Sequence, residues 1–258
     1  MRASVMADCY LSIVEILVAG YLEDPEDGFG LQQAVLEEVS AGERGPAALV
    51  WTSAPYVGAT NRETRLPGFD RAVRVAEEEG FPVLVRDSGG GAVAANEGSI
   101  SFSLTYPVGE LGQDLYERYR DGVDLVASAL RRVGVEAEGG EVEGEFCPGA
   151  YSVRSGGERG VKHAGLAQRV RRRAARLEVL IQVSDTQGLV RVLERFYEAL
   201  GLPFRAGSLG DLEATVSQVT EALCQEVRLR YGAEKGRLGE STLDRARSQR
   251  GEWRASTG

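Results

Sequence analysis

Hydrophobic and polar positions change period several times along the chain. Leu31, Val35, Leu36 and Val39 recur at helical spacing and predict a helix over 31–40. Ala47 to Trp51 is a short apolar run read as a strand. Pro67 to Glu79 predicts a second helix, with Pro67 tolerated near its start and Gly80 ending it. Phe81 to Val85 is an apolar strand that runs into Arg86-Asp87-Ser88 and three glycines, Gly89, Gly90 and Gly91. From Ser99 to Tyr106, Ile100, Phe102, Leu104 and Tyr106 alternate with Ser99, Ser101, Ser103 and Thr105, a period-two strand pattern.

The longest helix is predicted over Leu111 to Val133, where Leu111, Leu115, Tyr119, Val123, Val126 and Leu130 form one stripe. Ala137 to Gly144 is rich in Gly and Glu and reads as a loop. Ala150 to Val153 and Val161 to Leu166 are short strands joined at Ser155-Gly156-Gly157. Ala175, Leu177, Val179, Ile181 and Val183 mark another strand, and Leu189–Leu200 and Leu212–Tyr231 are helices. Strands cluster without a regular βαβ repeat. The expected fold is therefore α+β, a mixed, largely antiparallel sheet flanked by helices. Residues 1–28 read as an N-terminal extension of uncertain structure, 29–231 as the body, and 232–258 as a polar tail, expected to be poorly ordered for want of apolar anchors.

Composition narrows the function classes. The 258 residues are 43% apolar, enough for a sizeable core, yet hold no run long enough to cross a membrane. Acidic residues interrupt the N-terminus early, against a secretory signal. Three scattered cysteines (Cys9, Cys147, Cys224) argue against a disulfide framework and for a reducing cytoplasm. One histidine and no paired cysteines argue against a transition-metal site. A net charge of −9 disfavours nucleic-acid binding. Against that sign, Arg169, Arg171, Arg172, Arg173 and Arg176 crowd one segment. A solvated face is the default there, and a docking patch for an acidic partner the alternative.

Two residues carry candidate chemistry. Cys147 lies in Glu145-Phe146-Cys147-Pro148-Gly149-Ala150-Tyr151, a turn context that exposes a thiol able to accept an acyl group. Most isolated cysteines are inert, so an inert Cys147 at a strand start is the default. Lys162 sits among small residues in Gly160-Val161-Lys162-His163-Ala164-Gly165. Of 30 lysines and arginines only Lys162 and Lys235 are lysine, which favours a lysine-specific role over an ordinary surface position. His163 points the other way on a strand and is read as structural. The glycine run matches neither a P-loop nor a dinucleotide fingerprint.

Together these segments resemble a known family. Arg86 to Val93, followed by Gly98 to Ser103, is similar to the signature loop and strand of the biotin/lipoate protein ligase superfamily. Lys162 to Arg169 is similar to its Lys-x-x-Gly element in the lipoate branch. Phe146 to Tyr151 resembles the cysteine-dependent octanoyl or lipoyl transferases that take the acyl group from the glycine cleavage H protein, and Arg65-Leu66-Pro67-Gly68 fits that branch too. The resemblance spans about Leu31 to Leu212.

The resemblance implies an acyltransferase of this ligase-like fold in which Cys147 and Lys162 are catalytic. Cys147 would form the thioester, and Lys162 would hold the acyl carbonyl and assist proton transfer. Arg86, Ser88, Gly89, Gly90, Gly91, Ala92, Val93, Tyr151, Ala164 and Gly165 would bind the acyl group, with bare glycine backbone letting the chain lie along it. The partners implied are lipoyl-domain proteins, namely the H protein and E2 subunits of 2-oxoacid dehydrogenases, with acyl carrier protein as an alternative donor. No cofactor is implied; ATP and Mg would enter only if the chain were a lipoate–protein ligase. A non-enzymatic acyl-binding module is a further alternative. The chain departs from the family pattern at Ala95-Asn96 and at Ser152 after Tyr151, which bears on substrate choice.

Overall fold

The computed structural model describes residues 13–109 and 114–255. Its first part holds β1 (Glu15–Leu22), α1 (Pro25–Ala41), β2 (Ala47–Ser53), β3 (Tyr56–Thr60) and α2 (Phe69–Glu78). Next come β4 (Val83–Arg86), β5 (Val93–Ala95), β6 (Ser99–Pro107), α3 (Leu115–Arg132) and β7 (Glu138–Gly139). The remainder is β8 (Ser152–Ser155), β9 (Val161–Val170), β10 (Ala174–Gln182), α4 (Thr186–Leu200), α5 (Val216–Tyr231), β11 (Glu234–Lys235) and α6 (Glu240–Ser248). Eight strands form one sheet in the order β11-β1-β2-β6-β10-β9-β8-β7; β4-β3-β5 form a second. Most pairs are antiparallel, with β1 parallel to β2 and β11 and β3 parallel to β4. The α+β expectation holds. Among the described residues no helix is long and apolar enough to cross a membrane.

The alternation in β6 decides the layering. Ile100, Phe102, Leu104 and Tyr106 face a core shared with α3 and α5. The opposite positions, Ser99, Ser101, Ser103 and Thr105, are also buried. They lie on the face covered by α1 and the small sheet, so the large sheet is covered on both sides. This polar inner face is where a cavity opens between the two sheets.

The sequence reading differs from the structure at both ends. The N-terminal stretch contains β1, which pairs in parallel with β2 across a register shift between Val18 and Gly20, and α1 starts at Pro25 rather than Leu31, capped by the Asp24 side chain accepting from Glu26 N–H at 3.0 Å. The stripe from Leu31 to Val39 announced only the later part of α1, because its start is buried at polar and glycine positions such as Glu26, Gly28 and Gly30. Cys9 lies outside the described residues, as does the predicted helix start at Leu111.

The polar tail, too, carries structure: α6 packs on α1. Ala246 and Trp253 join the hydrophobic cluster beneath α1, and polar contacts add further anchors. Thr242 Oγ1 donates to Glu38 Oε1 at 2.7 Å, and Arg250 donates to both oxygens of Asp27 at 2.6 Å. A search for apolar anchors passes over such contacts. The smaller strands β3 and β5 had no predicted counterpart, being three to five residues long with Gly and Ala in them.

The α1–α6 crossing sits on Gly30, where a Cβ would lie 2.6 Å from the carbonyl oxygen of Ala246. Gly30→Ala would gain about 1 kcal/mol of helix propensity. The obstacle is backbone, so overpacking of about 1–3 kcal/mol should outweigh the gain. We expect a net loss of stability in urea denaturation with little change in slope.

Candidate active site

Cys147 follows the Glu145-Phe146 turn with φ of +44°, one of three non-glycine residues at positive φ among those described. Such a backbone is costly for an L-residue and persists only where its surroundings enforce it. The enforcement is visible. Cys147 N–H donates to the Tyr197 hydroxyl at 2.6 Å, and that hydroxyl donates to Ala92 O at 2.8 Å. From the other side Lys162 Nζ donates to Phe146 O and Cys147 O, each at 2.9 Å.

Lys162 is fully buried, not on the surface. Its third acceptor is Glu145 Oε1 at 2.9 Å, itself fully buried. Glu145 accepts in addition from Ser152 Oγ at 2.6 Å and Val142 N–H at 2.8 Å. The Nζ also lies 4.6 Å from the centroid of the Phe146 ring. The Lys-x-x-Gly spacing has a steric reason here: a Cβ on Gly165 would come within 3.3 Å of Lys162 Nζ. The structure thus brings Lys162 and Cys147 together, and all three ammonium protons hold the cysteine turn. Ser152, a departure from the family pattern, is the hydroxyl that supports Glu145.

The sulfur is met by the glycine loop. Gly91 N–H donates to Cys147 Sγ at 3.1 Å, and Arg86 Nη2 lies 3.7 Å away. Gly90 has φ of +103°, and a Cβ there would lie 2.7 Å from Sγ. The bare backbone therefore makes room for the sulfur, whereas the sequence reading had it accommodate the acyl chain. Ala92 N–H donates to Glu63 Oε1 at 2.5 Å, which ties the loop down. Gly89 is exposed, and a Cβ there would meet nothing within 4 Å.

Arg86 is held by Ser88 Oγ at 2.8 Å and by Gly91 O at 2.7 Å. Ser88 Oγ in turn donates to Glu178 Oε2 at 2.6 Å, and Arg176 pairs with the same carboxylate. Burial pushes the Glu178 carboxyl up, but Arg176, Ser88 and Arg86 together hold it below the usual range. Arg176 is 4% exposed, so it belongs to this network and not to the surface basic segment in which the sequence had placed it.

The cavity between the sheets is lined by Cys147, Arg86, Val93 and Gly165, and by Phe29, Trp51, Tyr56 and Trp253. Burial pushes the Tyr56 hydroxyl up to about 12, so it stays protonated. Of the expected acyl contacts, Arg86, Val93 and Gly165 line this cavity, Gly90 and Gly91 border a second cleft, and Ser88, Gly89, Ala92, Tyr151 and Ala164 are not among the residues of either. Ala164 is buried in the core on the other face of β9. Tyr151 stacks on Tyr119 with ring centroids 4.1 Å apart and is not among the cavity residues. Asn96 closes the β5–β6 turn, accepting from Gly98 N–H at 3.0 Å. Glu145, Glu63, Tyr197 and the aromatic cluster escaped the sequence reading. Of these only Glu145 had a signal, its place two residues before the cysteine.

Two predictions follow from the buried charges. Lys162→Met leaves Glu145 buried and unpaired and should cost about 3–5 kcal/mol in urea denaturation; adding Glu145→Gln should recover much of it. His163 accepts or donates at 2.7 Å to Ser155 Oγ, and burial lowers its pKa from 6.5 to about 4. The fold favours the neutral ring, so its contribution is complete above pH 6.5 and is lost as pH falls to about 4. His163→Gln should flatten that part of the stability–pH curve, by at most about 3 kcal/mol.

Residues 24–228 match the family model described as the lipoyl protein ligase A/B catalytic domain. The octanoyl-[GcvH]:protein N-octanoyltransferase of Bacillus velezensis is 32% identical over 178 residues, 68% of this chain and 61% of that protein. The Geobacillus kaustophilus protein of the same name is 32% identical over 181 residues, 69% of this chain and 62% of its own. The matched part thus spans about three fifths of these relatives' length. Among solved structures, a lipoate-protein ligase A bound with ATP superposes with a TM-score of 0.74 at 16% identity, covering 92% of this chain and 94% of that one. The bi-partite lipoate protein ligase of Thermoplasma acidophilum gives 0.70 at 17% identity, covering 92% and 91%. These last two establish the fold. With four fifths of its length inside the matched model, the chain belongs to the lipoyl protein ligase A/B catalytic domain family.

Proposed function

We propose that this chain moves an octanoyl or lipoyl group between lysines of lipoyl-domain proteins through a thioester on Cys147. The observation that carries the reading is the sulfur itself: a cavity-lining thiol on an enforced positive-φ turn, facing a backbone N–H and the Arg86 guanidinium. An inert cysteine needs no such support.

The chemistry balances without an energy source. Sγ attacks the acyl carbonyl of the donor's acyl-lysine; the C–S bond forms, the amide C–N bond breaks, and the thiol proton leaves with the amine. The acceptor's lysine amine then attacks the thioester, and its proton returns to sulfur. One amide replaces another, so neither ATP nor a cofactor is required. Gly91 N–H and Arg86 stand where charge on sulfur needs them. Lys162 and Tyr197 keep the turn in place. A second cleft, lined by Arg62, Glu63 and Pro148, borders Gly90 and Gly91 from the other side and offers the acceptor an approach.

The names of the relatives support the glycine cleavage H protein as donor, and E2 subunits are the proposed acceptors. Acyl carrier protein is the alternative donor, suited to the basic turn at Arg171–Arg173. The cytoplasm, where free thiols persist, is the proposed compartment. Superposition on a ligase bound with ATP favours a second reading, an ATP-dependent lipoate–protein ligase in which Cys147 is incidental.

Intact-mass spectrometry after mixing with octanoylated H protein, without ATP, tests this. The expected result is a hydroxylamine-sensitive octanoyl adduct on the wild type and none on Cys147→Ala. An adduct only with octanoyl-acyl carrier protein would change the donor. Acyl transfer that needs ATP and free acid, and survives in Cys147→Ala, would establish the ligase.

A further inference from the structure

The family match ends at residue 228, yet the chain beyond it reaches the acyl cavity. After α6 the chain turns back along β4. Val85 N–H donates to Trp253 O at 2.6 Å, Ala255 N–H to Val83 O at 3.0 Å, and Leu84 bridges Arg254 in antiparallel fashion. Residues 253–255 therefore cover an edge strand of the small sheet, which would otherwise present unpaired backbone groups. Trp253 is 7% exposed and its ring lies 5.7 Å from Phe29.

The start of α1 fastens this segment. Glu26 accepts from Gly251 N–H at 2.6 Å and pairs with Arg254, while Asp27 pairs with Arg250. Phe29 is two residues further along the same helix, so the anchors and the Phe29–Trp253 wall form one unit. Phe29 also meets Tyr56 edge-on at 5.4 Å. Tyr56 is in register with Ala95 of β5, and Gly91, the donor to the sulfur, lies four residues before Ala95. Cys147, Phe29, Tyr56 and Trp253 all line the same cavity, so an acyl group held at the sulfur and extending into it meets the aromatic wall.

We propose that the C-terminal segment 240–255 forms the distal wall of the acyl cavity, and that Trp253 against Phe29 sets the longest acyl chain the cavity takes. The choice of ligand class rests on the acyl-transfer reading. The length limit rests on the wall.

The test measures binding of octanoate, decanoate and dodecanoate to the full chain by calorimetry, for wild type, Trp253→Phe and Trp253→Ala. Room opened by the lost indole admits additional methylenes. The decanoate-to-octanoate affinity ratio should rise about tenfold in Trp253→Ala and by less in Trp253→Phe. If Trp253→Ala fails to fold, the Phe variant carries the same comparison. An unchanged ratio, or a wild type that binds none of the three acids, overturns the proposal; a strap that only stabilises the fold would give the unchanged ratio. Octanoyl adduct formation on wild-type Cys147 is read in parallel. An adduct with an unchanged ratio sinks the wall alone, and a shifted ratio with no adduct from any donor sinks the transfer reading alone.

Discussion

The ammonium of Lys162 is sealed from solvent with three acceptors at 2.9 Å, and the Cys147 turn hangs from it. One acceptor is a carboxylate, so the buried charge is neutralised; the other two are the carbonyls that flank the turn. A lysine can do this because its three donors splay from one point, whereas a planar guanidinium could not cap a carboxylate and two successive carbonyls in the same space. With Tyr197 holding the cysteine N–H from the opposite side, the residue has no route back to a relaxed backbone. Its sulfur is left facing Gly91 and Arg86. The lysine acts on the position of the sulfur through the main chain.

That arrangement needs a support that is polar and dry together. The inner face of the large sheet supplies it. Ser88, Arg86, Glu178 and Arg176 join the loop to β10 in a chain of charge-assisted bonds, and desolvation makes each bond matter more than it would in water. The opposite face of the same strands is conventional core. A single alternation in β6 and β10 thus separates a packing face from a working face. The aromatic residues Phe29, Trp51, Tyr56 and Trp253 close the far side of that working face from four different stretches of chain.

How much of this could be read beforehand depended on distance along the chain. Cys147 and Lys162 were legible because short motifs surround them, and so was the alternating sheet. The glycine run was found, but not that Gly90 makes room for a sulfur more than fifty residues away. Ala164 was assigned to the site by its neighbours, and strand parity puts it on the other face. Arg176 looked like one cation among several until Glu178 and burial set it apart. The tail looked unanchored because its partners, Glu26, Asp27 and Glu38, are acidic residues at the other end of the chain, and polar pairing leaves no hydrophobic period to detect.

The sequence by itself determined the fold class and the family, and singled out Cys147 and Lys162, on which the proposed chemistry rests, because those depend on local period and on motifs of adjacent residues. Only the tertiary structure decided what enforces the cysteine turn, which face each strand residue serves and how the C-terminal segment closes the cavity. Those depend on contacts between Glu145 and Lys162, Gly91 and Cys147, Phe29 and Trp253. Their spacing in the chain carries no period, and their chemistry becomes visible only when burial removes water as the competing partner.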